Sequence, residues 1–433
     1  MGTPTNGQDA PARRRRAAAT ISVHSIVDFF SFVIIALMPL LAVRLEMSGP
    51  DKALLIGVGS VTSGLIQPLV AWLSDRHDTR VLGTIGVAVA VVCISSIGFA
   101  QSYWQLMVLQ AVGAAGIGAF HPVSAAAIGE LAGRWRSRFV AAFFLAGMAG
   151  GFSGNAFAPV LVNRMSMAAG SGGEADIVAG LHGLLWLLIP GAFGVALLAW
   201  AIHGVSHRDA GAHAQHASLS PEERALRWRA VWILYAGNVI RFTVNMALIY
   251  LIVEWTTQLT AERAAVGTSD EALGLIASQL NGPLQGAEQV GMGLGGLALG
   301  MLLPVRHEKK AFCIIPWLGA IAIALMPYSA RLPVAAVVPA AFAITALAGL
   351  GFGSLVPVSI SLAQRLLPHR TSLASGLMMG GAWMLAFIGP IFAGAFQSWF
   401  GLETAFLATG GLLCVAGVLT LFLPGTLLKA SDT

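Results

Sequence analysis

Two ionisable residues, His24 and Asp28, interrupt the apolar run SVHSIVDFFSFVIIALMPLL. Four positions apart, they share one face of a helix. A carboxylate beside an imidazole can hand a proton along, because an imidazole ordinarily titrates at about 6.5. A second apolar run holds Arg241, flanked on much the same face by Asn238 and Asn245, and a third holds Glu288. A permanently charged guanidinium among apolar residues calls for an acid or an anionic ligand. Asp28 pairing with Arg241 or His24 as a plain clasp is the structural alternative to a coupling role.

A fourth candidate sits in a repeated phrase. Residues 116–125 read GIGAFHPVSA and residues 351–360 read GFGSLVPVSI. Gly116, Gly118 and Pro122 recur as Gly351, Gly353 and Pro357, which marks a structural repeat whose helices bend and pack closely. His121 has Val356 as its counterpart, so a bend before proline does not require a histidine. The histidine is read as chemistry that only one half needs. The candidate proton-coupling residues are therefore Asp28, His24, His121 and Glu288. The candidate substrate-binding residues are Arg241, Asn238, Asn245 and Asp28.

What must position these groups is set by composition. The 433 residues are 56% hydrophobic and 10% charged, against about 25% charged in a soluble globular chain. Hydrocarbon is the expected solvent. Runs of about 20 apolar residues suffice to cross a bilayer. Twelve are read, near 19–43, 53–73, 81–100, 104–128, 138–163, 178–203, 229–256, 276–303, 311–328, 333–362, 371–398 and 403–426. The glycines of GMGLGGLALG (Gly291, Gly295, Gly296, Gly300) are read as a helix-packing stripe.

With a cytosolic N-terminus, nineteen of the 25 Lys and Arg residues fall in inner loops and five outside, with Arg241 within a span. Both termini are expected inside. The resulting division is a tail at 1–18, a six-helix bundle at 19–203, a linker at 204–228, a second six-helix bundle at 229–426 and a tail at 427–433. The linker histidines (His207, His213, His216, with His203 before them) have no regular metal-ligand spacing. No metal cluster, cofactor motif, phosphate loop or Ser/His/Asp arrangement is read, which argues against an enzyme. The three cysteines lie in apolar runs and are expected to be unpaired. The basic residues follow topology, so no nucleic-acid partner is expected.

Two resemblances follow from motifs. AWLSDRHDTRVLG between the second and third spans resembles the loop signature of the major facilitator superfamily, with Asp75, Arg76 and Arg80 in register and Ala71 and Asp78 in place of its glycines. The resemblance implies an all-α membrane fold of twelve transmembrane helices in two pseudo-symmetric bundles, and a conformational latch at those three residues. SVHSIVDFF, LIQPLVAWLSDRH, GIGAFHPVSAAAIGEL and AQRLLPHRTSLASGLMMGGAWMLAFIGP are similar to segments of the fosmidomycin-resistance family of drug exporters. Span five departs from its antiporter-type signature, with Ala158 where a glycine is expected. The resemblance implies a bacterial inner-membrane transporter; with the charges inside the membrane, the first reading is a proton-coupled exporter of small antimicrobial compounds, anionic ones included, and one chain that supplies both halves of the cavity is expected to work as a monomer. A symporter or facilitator importing an organic metabolite anion is the second reading. A scaffold without flux is the third, disfavoured because it has no use for charges inside the membrane.

Overall fold

The structure, a computed structural model, describes residues 10–74, 79–132, 136–170, 176–205, 220–367 and 370–424. Among these residues the chain is helical without a strand. Twelve long helical segments follow in order: α1 (Pro11–Ala36), α2 (Gly49–Leu73), α3 (Arg80–Phe99), α4 (Tyr103–Leu131), α5 (Arg138–Ala169), α6 (Ile177–Ile202), α7 (Pro221–Arg263), α8 (Asp270–Leu302), α9 (Val305–Arg331), α10 (Val334–Leu366), α11 (Leu373–Phe400) and α12 (Leu402–Phe422). Eleven of them are long and apolar enough to cross a membrane by composition alone. The other, α8, carries Asn281, Gln285, Glu288 and Gln289, all buried inside the protein. Many large apolar side chains, among them Trp104, Trp186, Ile189, Phe193 and Trp399, are instead exposed. That inversion suits a chain dissolved in lipid.

Local sequence explains where helices start. Ser220, followed by Pro221, Glu222 and Glu223, caps α7 by accepting a hydrogen bond from the Glu223 amide at 3.1 Å. Ser269 does the same for α8 with the Ala272 amide. A serine oxygen satisfies an otherwise orphaned amide, and acids in the first turn suit the helix dipole. The first helix begins ahead of the apolar run read from residue 19, and within that extension Arg16 donates to the carbonyls of Ala201 and His203 at the end of α6.

The helices form two groups of six. Within each group, the packing of α1 on α5 and α6 and of α4 on α2 and α3 parallels that of α7 on α11 and α12 and of α10 on α8 and α9. Between the groups, α5 packs on α8 and α2 on α11. Exchanging the halves turns one pair into the other, which is the mark of a pseudo-twofold axis. Glycines allow both crossings: Gly282 lies on the Asn155 carbonyl and Gly64 on the Met384 backbone.

The repeated phrase is realised in three dimensions. Gly116 lies against Gly86 of α3, and Gly118 against Ser63 of α2. In the second half Gly351 lies against Gly319 of α9, and Gly353 against Met292 of α8. The bend is not repeated in the same way. The helix α4 runs unbroken through Pro122, whereas α10 breaks at Ser354 and Leu355 just before Pro357. The stripe on α8 is also shorter than expected: Gly291, Gly295 and Gly296 meet neighbours, but Gly300 faces open space.

This contrast supplies a packing test. A Cβ at Gly351 would lie 2.6 Å from the Gly319 amide nitrogen, a backbone atom that cannot turn away. Gly351→Val is expected to cost about 1–3 kcal/mol or more by overpacking, whereas Gly300→Val changes stability little. Thermal unfolding in detergent checks both. Equal melting temperatures for the two variants would contradict the close α9–α10 approach.

The halves are laced together at the end opposite the arginine-rich one. Asn281 of α8 donates to the carbonyls of Ile35 (2.7 Å) and Ala36 (3.2 Å), and the Leu40 amide donates to Ser278 Oγ at 3.1 Å. Arg44 pairs with Glu271, and Lys52 with Glu254. Asn281→Leu removes two of these bonds, about 1–2 kcal/mol, and is expected to loosen this seal roughly five- to thirtyfold. The readout is the rate at which an impermeant thiol reagent labels a cysteine at Ile56, a cavity position, in a background without the native cysteines. An unchanged rate from the sealed side would show that the lacing does not hold the halves.

Candidate functional site

Between the halves lies a cavity of about 170 Å³. One side holds most of the polar groups, Asp28 and Ser31 from α1, Ser60, Ser63 and Gln67 from α2, and Gln110 and His121 from α4, set among Phe32, Ile35, Ile56, Ile117, Phe144 and Met148. The other is largely apolar, with Phe242, Met246, Met292 and Trp383 interrupted by Asn245 and Gln289. His121 and Val356 both line it. The repeat therefore puts equivalent positions on one cavity and gives them different chemistry.

The four-residue spacing of His24 and Asp28 does bring the pair together, with Nε2 of His24 3.3 Å from Oδ2 of Asp28. From α4, Nε2 of His121 comes to 3.4 Å from Oδ1 of the same carboxylate. Each imidazole is held from behind by a backbone carbonyl: His24 Nδ1 donates to Phe143 at 2.7 Å, and His121 Nδ1 to Ile117 at 2.9 Å. The second bond also answers the plainer role for His121. The carbonyl that Pro122 leaves without its helical donor is that of Gly118, whereas His121 bonds Ile117. The ring of His24 stacks on Phe143 of α5, centroids 3.8 Å apart.

The hydrogen-bond partners fix the tautomers. A carbonyl oxygen can only accept, so each Nδ1 carries its proton. Each Nε2 then turns either a lone pair or a second proton toward Asp28. With both imidazoles neutral and the carboxylate ionised, two lone pairs face a negative charge. The contacts become attractive only when positive charge enters the cluster. The triad is thus built to hold a cation, of which a proton is the simplest.

The other candidates are dispersed. Arg241 is buried but does not line the cavity. Its Nη1 donates to Asn238 Oδ1 at 2.7 Å and its guanidinium lies 5.0 Å from the Phe312 ring centroid of α9. Among the described residues no carboxylate stands within 4.0 Å of it. The expected convergence of Arg241 with the triad is therefore corrected, and so is the Asp28–Arg241 clasp. The long side chain folds back toward Gly237 and the start of α7, as arginines in membranes do. Asn238 turns toward Ser359 and Met378 rather than the cavity. Asn245 does line it, and donates to Glu288 Oε1, whose carboxylate is wholly buried on α8. Of the latch, Asp75 and Arg76 lie outside the described residues, as do linker histidines His207, His213 and His216; Arg80 opens α3.

Two contributors escaped the linear reading. One is the Phe143 carbonyl. The other is Gly147, where a Cβ would lie 2.6 Å from Asp28 Oδ2 and 2.8 Å from His24 Nε2. The run GMAGGFSGNAFAP held the signal: Gly150 and Gly154 lie on the backbones of Ser25 and Phe29, drawing α5 onto α1 until only a glycine fits beside the pair. His24, Asp28 and His121 also form a set of metal-ligand atoms, all within 4.8 Å of one another. That set draws on two helices far apart in sequence, so residue spacing did not disclose it.

Comparison with known proteins agrees with this architecture. The Major Facilitator Superfamily matches residues 20–333, and the chain belongs to that superfamily of multi-pass membrane transporters. It is 24% identical to the uncharacterized MFS-type transporter YfnC of Bacillus subtilis, over 93% of this chain and 90% of that one. It is 21% identical to the fosmidomycin resistance protein of Escherichia coli, with the same coverage. Among solved structures it resembles a bacterial homologue of the human lysosomal transporter Spinster in an inward-facing, unoccupied conformation (TM-score 0.66, 16% identity, 100% of this chain and 98% of that one). It also resembles the nucleoside transporter NupG (TM-score 0.67, 11% identity, 93% and 98%). Membership points to transport rather than catalysis.

Proposed function

We propose that the protein is a proton-coupled secondary transporter that exports small antimicrobial compounds across a bacterial inner membrane by alternating access. The observation that carries this is the triad, in which two back-anchored imidazoles converge on one carboxylate at the cavity wall. Loading the triad with a proton changes its charge, and so changes what the cavity attracts. Asp28, His24 and His121 are the coupling group in this account. Glu288, bonded to Asn245 beside the cavity, is a second acid available to it. Substrate lies between the polar wall and the apolar one, against Asn245, Gln110 and Gln289. Resemblance to a fosmidomycin resistance protein favours export of an antimicrobial compound.

Import of a metabolite anion, the rival reading, is best served by a fixed cation on the cavity wall. Arg241 is turned away from that wall, which removes that support for an imported anion. An anionic substrate would instead meet the imidazoles in their protonated state. The latch at Asp75, Arg76 and Arg80 and the cytosolic placement of both termini complete the scheme.

The test is transport in proteoliposomes of defined orientation under an imposed proton gradient, with small phosphonates, other organic anions and cationic drugs. Gradient-driven movement in the export direction, abolished by a protonophore, is expected. Movement that ignores the gradient, or runs with the protons, would replace this account with a facilitator or an importing symporter.

A further inference from the structure

We propose that His24, Asp28 and His121 form a binding site for a divalent transition-metal ion of the zinc type, open to the central cavity. The inference shares its residues with the coupling group but stands on coordination geometry, and does not require transport in either direction.

The donor set is the first argument. Two imidazole nitrogens and a carboxylate are a common ligand combination for zinc and its neighbours, and a poor one for magnesium or calcium, which prefer all-oxygen shells. The distances agree. Metal–ligand bonds of about 2.0–2.2 Å at tetrahedral angles separate neighbouring ligand atoms by about 3.3–3.6 Å. His24 Nε2 stands 3.3 Å from Asp28 Oδ2 and His121 Nε2 stands 3.4 Å from Oδ1, so each imidazole faces its own oxygen of one carboxylate, and one ligand atom from each residue falls within 4.8 Å of the other two.

The surroundings are the second argument. Metal-bound imidazoles almost always donate their other N–H to a carbonyl, carboxylate or water, which fixes the ring and exposes the Nε2 lone pair. Both histidines do so here, to Phe143 and Ile117. Among the described residues no lysine or arginine stands within 4.0 Å of Asp28 to take the ion's place. Gly147 keeps the side of the His24–Asp28 edge free where any other residue would press a Cβ against both ligand atoms. Three protein ligands leave a fourth position, and Asp28 and His121 line the cavity from which water would fill it. On binding, the ion takes the place of whatever protons the three atoms carried, and those protons leave to solvent.

The experiment uses untagged, detergent-purified full-length protein titrated with Co2+, read by the visible d–d bands that a low-symmetry site gives. The expected result is saturation at one Co2+ per chain, bands bleached by Zn2+ but not by Mg2+, and affinity weakened roughly 10- to 100-fold or more in His121→Val and Asp28→Asn. Gly147→Ala keeps every ligand and is expected to weaken binding too; size-exclusion profiles establish that each variant is folded. No saturable band, or bands unchanged in Asp28→Asn and His121→Val, would overturn the proposal. So would bands that vanish only when His207, His213 and His216 are replaced, since the ion would then sit on the linker. Proton release on adding a transported compound, measured without metal, reads the transport account separately, so either idea can fail alone.

Discussion

Asp28→Asn is expected to reduce gradient-driven transport to the level of empty liposomes while the protein stays folded and inserted. Asparagine keeps the shape of the side chain and removes its charge. Its amide nitrogen can donate to one neutral Nε2, so the variant mimics the loaded triad and holds it there. Nothing in the packing is lost, because Asp28 is bonded only to the two histidines among the described residues, and its stability should lie close to that of the parent. A carrier locked in its loaded form still exchanges substrate downhill. Counterflow of labelled substrate should therefore survive where proton-driven accumulation does not. Retained accumulation in this variant would remove Asp28 from the coupling group.

His121→Val is expected to have the second-largest effect, and the repeat supplies its rationale. The chain already places a valine at the equivalent position: Val356 is buried, precedes Pro357 and lines the same cavity. Valine before proline is therefore compatible with the fourth helix of a half. The folding cost should be limited to one buried hydrogen bond, about 1 kcal/mol, from the lost contact to Ile117. Coupling should fail more severely. Without the second imidazole, Asp28 keeps only His24, and the cation-holding cluster loses the imidazole that lines the cavity. Val356→His should not rescue it, since that helix breaks at Ser354 and Leu355, unlike α4. Full proton-driven transport by His121→Val would assign the histidine a structural role.

Much of this arrangement is legible in the sequence because membrane insertion imposes strong rules. Long apolar runs mark eleven helices, and the twelfth, α8, is still recognisable although Asn281, Gln285 and Glu288 dilute it. The pairing of His24 with Asp28 follows from helical periodicity, and His121 stood out because its repeat partner is Val356. What stayed hidden depends on contacts between distant helices or on the freedom of long side chains. Arg241 falls in the apolar run that the sequence marks, but its side chain folds toward Asn238 and Phe312. Gly147 is one glycine among many until α5 is seen lying on α1. Gly300 looks like its neighbours in sequence, yet faces open space.

The central claim is that the triad exchanges protons as substrate comes and goes. Proton release from purified protein in weakly buffered detergent solution, recorded as a transported compound is added, tests it most directly. The account predicts a release that saturates with the compound and is absent in Asp28→Asn. Saturable binding of the compound with no release from the parent protein, or equal release from Asp28→Asn, would contradict it.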